Sequence, residues 1–249
     1  MSLLDTSAFV RRVRVPFTRL FPVLRYWRQI GVLHLLLVFF VLIVAGTVLL
    51  SIPAASEASS SLTQRFFTAV SAVTTTGASP LPIDGTWSFI GEGILAFLVL
   101  VGGFLYMATA SFLLWFLGQR FGFKDVEMKR LYIGPPSSVE IIQFFRTVLL
   151  ITFSFQVLGA GLFFIGFLLD GFSVTTALWW GPFHAITSFN NAGFALHSEG
   201  FSVFRDSPFL LTISGFLAFC GAIGPVPISL IFLWRRYRKI PLDSKVIFF

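Results

Sequence analysis

The chain has 249 residues, 56% of them hydrophobic and 12% charged, with a net charge of +7 and a mean hydropathy of +0.87. Soluble domains carry roughly a quarter charged residues, so this composition excludes an ordinary soluble fold and makes lipid the solvent for much of the surface. The positive charge sits beside apolar runs, at Arg11, Arg12, Arg14, Arg19, Arg25 and Arg28 and again at Arg235, Arg236, Arg238 and Lys239, which suits anionic lipid headgroups and not nucleic acid.

Residues 1–29 are basic and interrupted by Pro16 and Pro22. They lack the short apolar core and small-residue cleavage site of a signal peptide, and read as a cytoplasmic segment lying on the inner membrane surface. Crossing roughly 30 Å of hydrocarbon takes about 20 helical residues, and four runs qualify, at 30–52, 88–117, 142–169 and 208–234. The second and third exceed the minimum, so tilt, a kink near Gly102 and Gly103, or extension beyond the bilayer is expected.

An inside N-terminus places Arg120, Lys124, Lys129, Arg130, Arg146 and the basic C-terminal segment on the same side, leaving only Arg65 and Arg205 outside. The reading is a multi-pass protein of the cytoplasmic membrane with both termini in the cytoplasm. Between spans one and two, and again between three and four, lie shorter apolar stretches at 62–73 and 174–189. They are too short to cross alone and suit re-entrant helices.

Each stretch runs through a polar string to a glycine, and the two align without a gap. Phe67-Thr68-Ala69-Val70-Ser71-Ala72-Val73-Thr74-Thr75-Thr76-Gly77 lies over Phe183-His184-Ala185-Ile186-Thr187-Ser188-Phe189-Asn190-Asn191-Ala192-Gly193. Matching residues at matching places between spans indicate a parallel internal repeat. The organisation is then a basic segment at 1–29, one helix–loop–helix unit at 30–118, a cytoplasmic linker at 119–141, a second unit at 142–234 and a basic segment at 235–249.

Non-helical backbone at membrane depth is tolerated where it is buried in protein or lines a water-filled path. A short helix ending in Thr-Thr-Thr-Gly turns the negative end of its dipole inward, which favours a cation, and the strand after it can aim carbonyl oxygens at that cation. Gly77 and Gly193 supply positive φ cheaply, while the Thr74–Thr76 hydroxyls and the Asn190 and Asn191 amides can brace the backbone. Taken singly, either string is equally a plain outward turn, since Gly, Thr and Asn are common in turns.

The segments Ser71-Ala72-Val73-Thr74-Thr75-Thr76-Gly77 and Ser188-Phe189-Asn190-Asn191-Ala192-Gly193-Phe194 resemble the first two filter loops of the Trk/Ktr/HKT superfamily of potassium transporters, specifically bacterial Trk/Ktr membrane subunits. The second string is the more specific of the two. The resemblance extends from the first span to the Pro-Leu-Asp-Ser-Lys stretch at 241–245, although Gly221-Ala222-Ile223-Gly224-Pro225-Val226-Pro227 departs from the expected glycine-rich pattern.

The resemblance implies an all-α transmembrane fold with two helix, re-entrant loop, helix repeats, that is, four spans and two pore helices forming half of a pseudo-fourfold potassium-channel-like pore. It implies K⁺ uptake through a filter at Thr74, Thr75, Thr76, Gly77, Asn190, Asn191, Ala192 and Gly193, with Na⁺ or H⁺ as a possible coupling ion and no covalent cofactor. It also implies a cytoplasmic nucleotide-binding regulatory subunit and a gating loop in a third repeat. Two loops cannot ring an ion, so the expected completion is a homodimer, or a second half if the chain is a truncated or split product. The alternative is a non-conducting membrane partner or fragment that assembles with full-length subunits; an organic-solute transporter is a third reading.

Other residues carry plainer expectations. His184 reads as a neutral imidazole bonded to nearby backbone, His34 and His197 as interfacial, and three scattered histidines as no metal site. Glu57, Glu92, Asp170, Glu199 and Asp206 read as outer loop charges that can raise local cation concentration. Trp27, Trp87, Trp179, Trp180 and Trp234 read as interfacial belts, Gln156 as an interhelical hydrogen-bonding residue, and the lone Cys220 as a buried thiol. The sequence presents no nucleophile with a base, no paired catalytic carboxylates and no phosphate-cradling loop, so an enzyme is not expected.

Overall fold

The computed structural model describes residues 34, 36–121, 138–197, 199–225 and 228. The basic segments at 1–29 and 235–249 and most of the linker at 119–141 lie outside them. The chain falls into two units, Met1–Val41 and Leu42–Phe249; the described part of the first is the opening of one helix, and the packing below belongs to the second.

The described residues are helical with a single isolated bridge between Ser56 and Trp87. In chain order the helices are α1 (Leu36–Leu50), α2 (Leu62–Val73), α3 (Phe89–Phe121), α4 (Ser138–Leu169), α5 (Val174–Phe189) and α6 (Pro208–Ile223). Two stretches within them, Phe89–Met107 and Arg146–Leu169, are long and apolar enough to cross a membrane, while α1 and α6 are apolar but shorter. The expected run at 208–234 is interrupted, because α6 stops at Ile223 and Gly224 follows with φ of 88°. Pro225 comes next, so a positive φ and a missing N–H donor end the helix together.

The two short helices have built starts. Ser61 and Gln64 form a reciprocal cap, in which Gln64 N donates to Ser61 Oγ (3.3 Å) and Ser61 N donates to Gln64 Oε1 (2.8 Å). Such a box satisfies two otherwise orphaned donors. At α5 the Thr176 N–H donates to Ser173 Oγ (3.1 Å). Both caps hold a short helix whose length alone is marginal.

Glycines in the long helices set the packing. A Cβ at Gly46 of α1 would lie 2.7 Å from Leu98 Cδ1 of α3 and 3.4 Å from Ala69 Cβ of α2. A Cβ at Gly159 of α4 would lie 2.5 Å from Leu217 Cδ1 of α6 and 3.3 Å from Ala185 Cβ of α5. Ala69 and Ala185 occupy matched places in the alignment, so each short helix is gripped by one glycine and one leucine of its flanking helices. Between apolar helices in lipid, close approach of small residues replaces the hydrophobic drive available in water.

The remaining core is aromatic. Phe163, Phe167, Phe189, Phe204 and Leu210 are buried around α5, with Phe172, Trp180 and Phe201 packed against them. The 3-10 turn Gly200–Phe204 delivers two of these rings. On the other side, the chain after α1 is stitched to the start of α3: Ser88 N donates to Ala55 O (3.1 Å) and Glu57 N to Thr86 O (2.9 Å).

Candidate functional site

The C-terminal ends of α2 and α5 share three matched backbone bonds. Thr74 N donates to Val70 O (2.9 Å), Thr75 N to Ala72 O (3.2 Å) and Thr76 N to Ser71 O (2.9 Å). At the matched positions Asn190 N donates to Ile186 O (3.1 Å), Asn191 N to Ser188 O (3.0 Å) and Ala192 N to Thr187 O (2.8 Å). These are Schellman closures, in which the residue after the cap turns left-handed so that the last helical carbonyls are satisfied.

Glycine normally takes that left-handed position. Here Thr75 (φ 53°) and Asn191 (φ 57°) take it, and Gly77 (φ 75°) and Gly193 (φ 70°) return to it two residues later. Asparagine tolerates the conformation, whereas for a β-branched threonine it is strained. The caps are braced by matched side-chain bonds: Thr74 Oγ1 donates to Val70 O (2.8 Å) and Asn190 Nδ2 to Ile186 O (2.9 Å). Thr74 and Thr76 hydroxyls also meet at 2.8 Å.

The two loops touch. A Cβ at Gly77 would collide with the Ala192 carbonyl oxygen, while Gly193 has open space around it. Thr74, Thr76, Asn191 and Gly193 are exposed, Thr75 and Gly77 half-buried, and Asn190 and Ala192 buried. Among the described residues, the N–H groups at 74–76 and 190–193 are bonded back to their helices, and no hydrogen bond engages the carbonyl oxygens of 74–77 or 190–193.

Helices α3 and α6 hold these loops from behind through glycines. A Cβ at Gly102 would strike the Val73 carbonyl, and one at Gly221 would strike that of Phe189, the matched residue. The neighbour Gly103 gives room to the Asn190 side chain, so one glycine pair on α3 receives the ends of both short helices. The Gly102-Gly103 pair is thus a docking point for both caps.

Several expectations need correcting. Glu92 is not a free loop charge, because Trp179 Nε1 donates to its Oε2 (2.5 Å) and ties α5 to the first turn of α3. Trp87 is 2% exposed, not interfacial, and its Nε1 is buried without a partner. Gln156 is buried and its Nε2 also lacks a partner. The expected partner for Gln156 is therefore not found at that nitrogen.

His184 is wholly buried, with Nδ1 2.8 Å from Trp180 O, and is ringed by Phe163, Phe167, Trp180, Phe201 and Phe204. No carboxylate is among these contacts, which matches a neutral imidazole held by backbone. His197 accepts from Glu199 N (3.2 Å), and Arg205 and Asp206 form an exposed pair at 3.4 Å. Among the described residues no group of three or more His, Cys, Asp or Glu is placed to hold a metal ion.

The residues that sequence reasoning missed are Gly46, Gly159 and Thr187. An isolated glycine inside an apolar run was the available signal for the first two. Nothing local distinguished Thr187 from Ser71 at the matched place.

Comparison with known proteins places the chain. Residues 29–247 match the model of the TrkH family, cation transport protein. The chain is 27% identical over 208 residues to Ktr system potassium uptake protein B of Bacillus subtilis (strain 168), covering 84% of this chain and 46% of that protein. It is 30% identical over 209 residues to Ktr system potassium uptake protein D of the same organism, covering 82% and 46%. To the potassium/sodium uptake protein NtpJ of Enterococcus hirae it is 27% identical over 210 residues, covering 84% and 46%. The chain spans about half the length of the curated relatives it matches. With its two matched loops and the family match over most of its length, the chain belongs to the TrkH cation transport protein family.

Proposed function

We propose that this chain forms part of a potassium uptake pathway, in which the loops 74–77 and 190–193 are filter strands dipping into the membrane between four spanning helices. The observation that carries this reading is the division of labour in both loops. Their backbone donors at 74–76 and 190–193 are consumed by the helix ends, their carbonyl oxygens are left free of intrachain bonds, and the two loops meet at Gly77 and Ala192. Free acceptor oxygens at the negative ends of two helices are what a partly dehydrated cation needs.

Alternation between right- and left-handed residues, from Thr74 (φ −87°) to Thr75 (φ 53°) and from Asn190 (φ −83°) to Asn191 (φ 57°), turns successive carbonyls toward one side. Strain held at Thr75 supports a functional reason for the geometry. The membrane potential supplies the drive, roughly 2.3 kcal/mol per charge per 100 mV. The names of the relatives point to K⁺, with Na⁺ also named for one of them.

Two loops require completion, and the exposed side of α2 supports further helix–loop–helix units packed there, supplied by a second copy of the chain or by a second half. On α5, Trp179 and Asn190 meet α3, and Phe183 between them is 1% exposed. Their matched residues on α2, Thr63, Phe67 and Thr74, are all exposed, Phe67 by 49%. The side of α2 that corresponds to a covered side of α5 therefore lies open for another unit of the same kind.

The test is growth of an uptake-deficient host on limiting K⁺. Wild type should rescue growth, and Gly77→Asp or Gly193→Asp should abolish rescue with membrane insertion intact. Undiminished rescue by both variants would remove the filter assignment, and no rescue by a well-inserted wild type would favour the non-conducting partner reading.

A further inference from the structure

The alignment pairs Thr187 with Ser71, and the structure treats the two hydroxyls differently. Thr187 is wholly buried and serves the strand after α5 with both of its polar groups. Its carbonyl accepts from Ala192 N (2.8 Å) and more weakly from Gly193 N (3.4 Å). Its hydroxyl lies 3.0 Å from Phe194 O and 3.3 Å from His184 O, and its single proton favours the nearer acceptor. One residue of the helix thus holds three consecutive residues of the loop.

In the first unit only half of this survives. The Ser71 carbonyl accepts from Thr76 N, but the Ser71 hydroxyl is buried without a partner. The position matched to Phe194 is Ala78, which is exposed, whereas Phe194, Ala195 and Leu196 are buried.

We propose that the Thr187 hydroxyl is a latch that fixes the 192–194 backbone and so sets cation discrimination by the second loop, and that the first loop lacks this latch. The inference rests on the permeation reading for its link to discrimination. The latch itself rests on the geometry alone. Thr187 is a positioning residue: it acts through the strand and not on the ion. Discrimination depends on how rigidly the coordinating oxygens are held and spaced, and losing one buried hydrogen bond is enough to change a conformer population about fivefold.

The experiment compares Thr187→Val, Thr187→Ser and Ser71→Ala in the full chain, reconstituted in lipid. Amide hydrogen exchange at 192–193 and the K⁺ over Na⁺ flux ratio are read on the same samples. Thr187→Val should speed exchange and lower the ratio, each about fivefold, Thr187→Ser should restore both, and Ser71→Ala should leave the ratio unchanged. Wild-type exchange and ratio in Thr187→Val would overturn the proposal. So would a Thr187→Ser variant as impaired as the valine, which would make the methyl and not the hydroxyl responsible. Absence of any cation flux through wild type would sink the permeation reading and the link to discrimination, while the exchange data would still decide the latch.

Discussion

At matched positions Phe67 is 49% exposed and Phe183 is 1% exposed, Thr74 is exposed and Asn190 buried, Ala78 is exposed and Phe194 buried. Yet the backbone at the two helix ends follows the same bonds and the same signs of φ. Local chemistry, a capped short helix closing on a polar string with glycine, is therefore sufficient to set the loop's path. What differs is the surrounding support. The second unit surrounds its helix with aromatic rings and ties its strand back through Thr187, while the first leaves one side of its helix and the start of its return strand open.

Variants at the paired residues test whether this difference is energetic. The largest effect is expected at Phe183→Ala, which opens a cavity in a packed site and should cost about 3–5 kcal/mol of stability in lipid. Phe67→Ala should cost under about 1 kcal/mol in an isolated chain, since half of that ring is already outside the packing. A second copy covering α2 would raise that cost and make it depend on protein concentration. Denaturation of both variants, alongside native mass of each, separates these outcomes.

Next in size are Gly102→Val and Gly221→Val. Each drives a side chain into the carbonyl of a matched residue, Val73 or Phe189, and overpacking against backbone costs about 1–3 kcal/mol. If the two units are equivalent at this contact, both variants should lose K⁺ rescue. Retained rescue in one alone would show which unit tolerates displacement of its loop.

A smaller effect is expected where the units join. Breaking the Glu92–Trp179 bond by Glu92→Ala or Trp179→Phe should cost about 1.5 kcal/mol, as for a hydrogen bond to a charged group. A double-mutant cycle should return that value as coupling between the two residues; zero coupling would mean the bond contributes nothing between α3 and α5. The smallest change carries the opposite sign. Thr152 Oγ1 is buried on α4 without a partner, so the isosteric Thr152→Val should raise stability by about 1 kcal/mol. A fall in melting temperature would reveal a partner for that hydroxyl.

Much of this site was legible in the sequence because its determinants are local. Thr-Thr-Thr-Gly and Asn-Asn-Ala-Gly mark the turns, and the short stretches 62–73 and 174–189 coincide with α2 and α5. The supporting contacts were not legible, because they join residues far apart at unequal offsets. Gly46 pairs with Gly159 and Gly102 with Gly221 only once helices are packed, and the spacing differs from that of the loops. At the end of the second unit hydropathy runs on past Ile223 without marking the break at Gly224; positions 226–227 and 229–234 of the expected run lie outside the described residues. Its place beside a span also suggested an interfacial belt for Trp87, whereas the fold buries it.

Infrared difference spectra of protein carrying ¹³C=O labels at Gly77 and Gly193, recorded on exchange of K⁺ for Na⁺ in lipid, test the free carbonyls as the ion's ligands. The account predicts a shifted amide I band for both labels that follows the bound ion; the shift at the Gly193 label should disappear in Gly77→Asp, and that at the Gly77 label in Gly193→Asp. Bands that stay fixed through the exchange, in protein that still takes up K⁺, would show that the ion passes elsewhere.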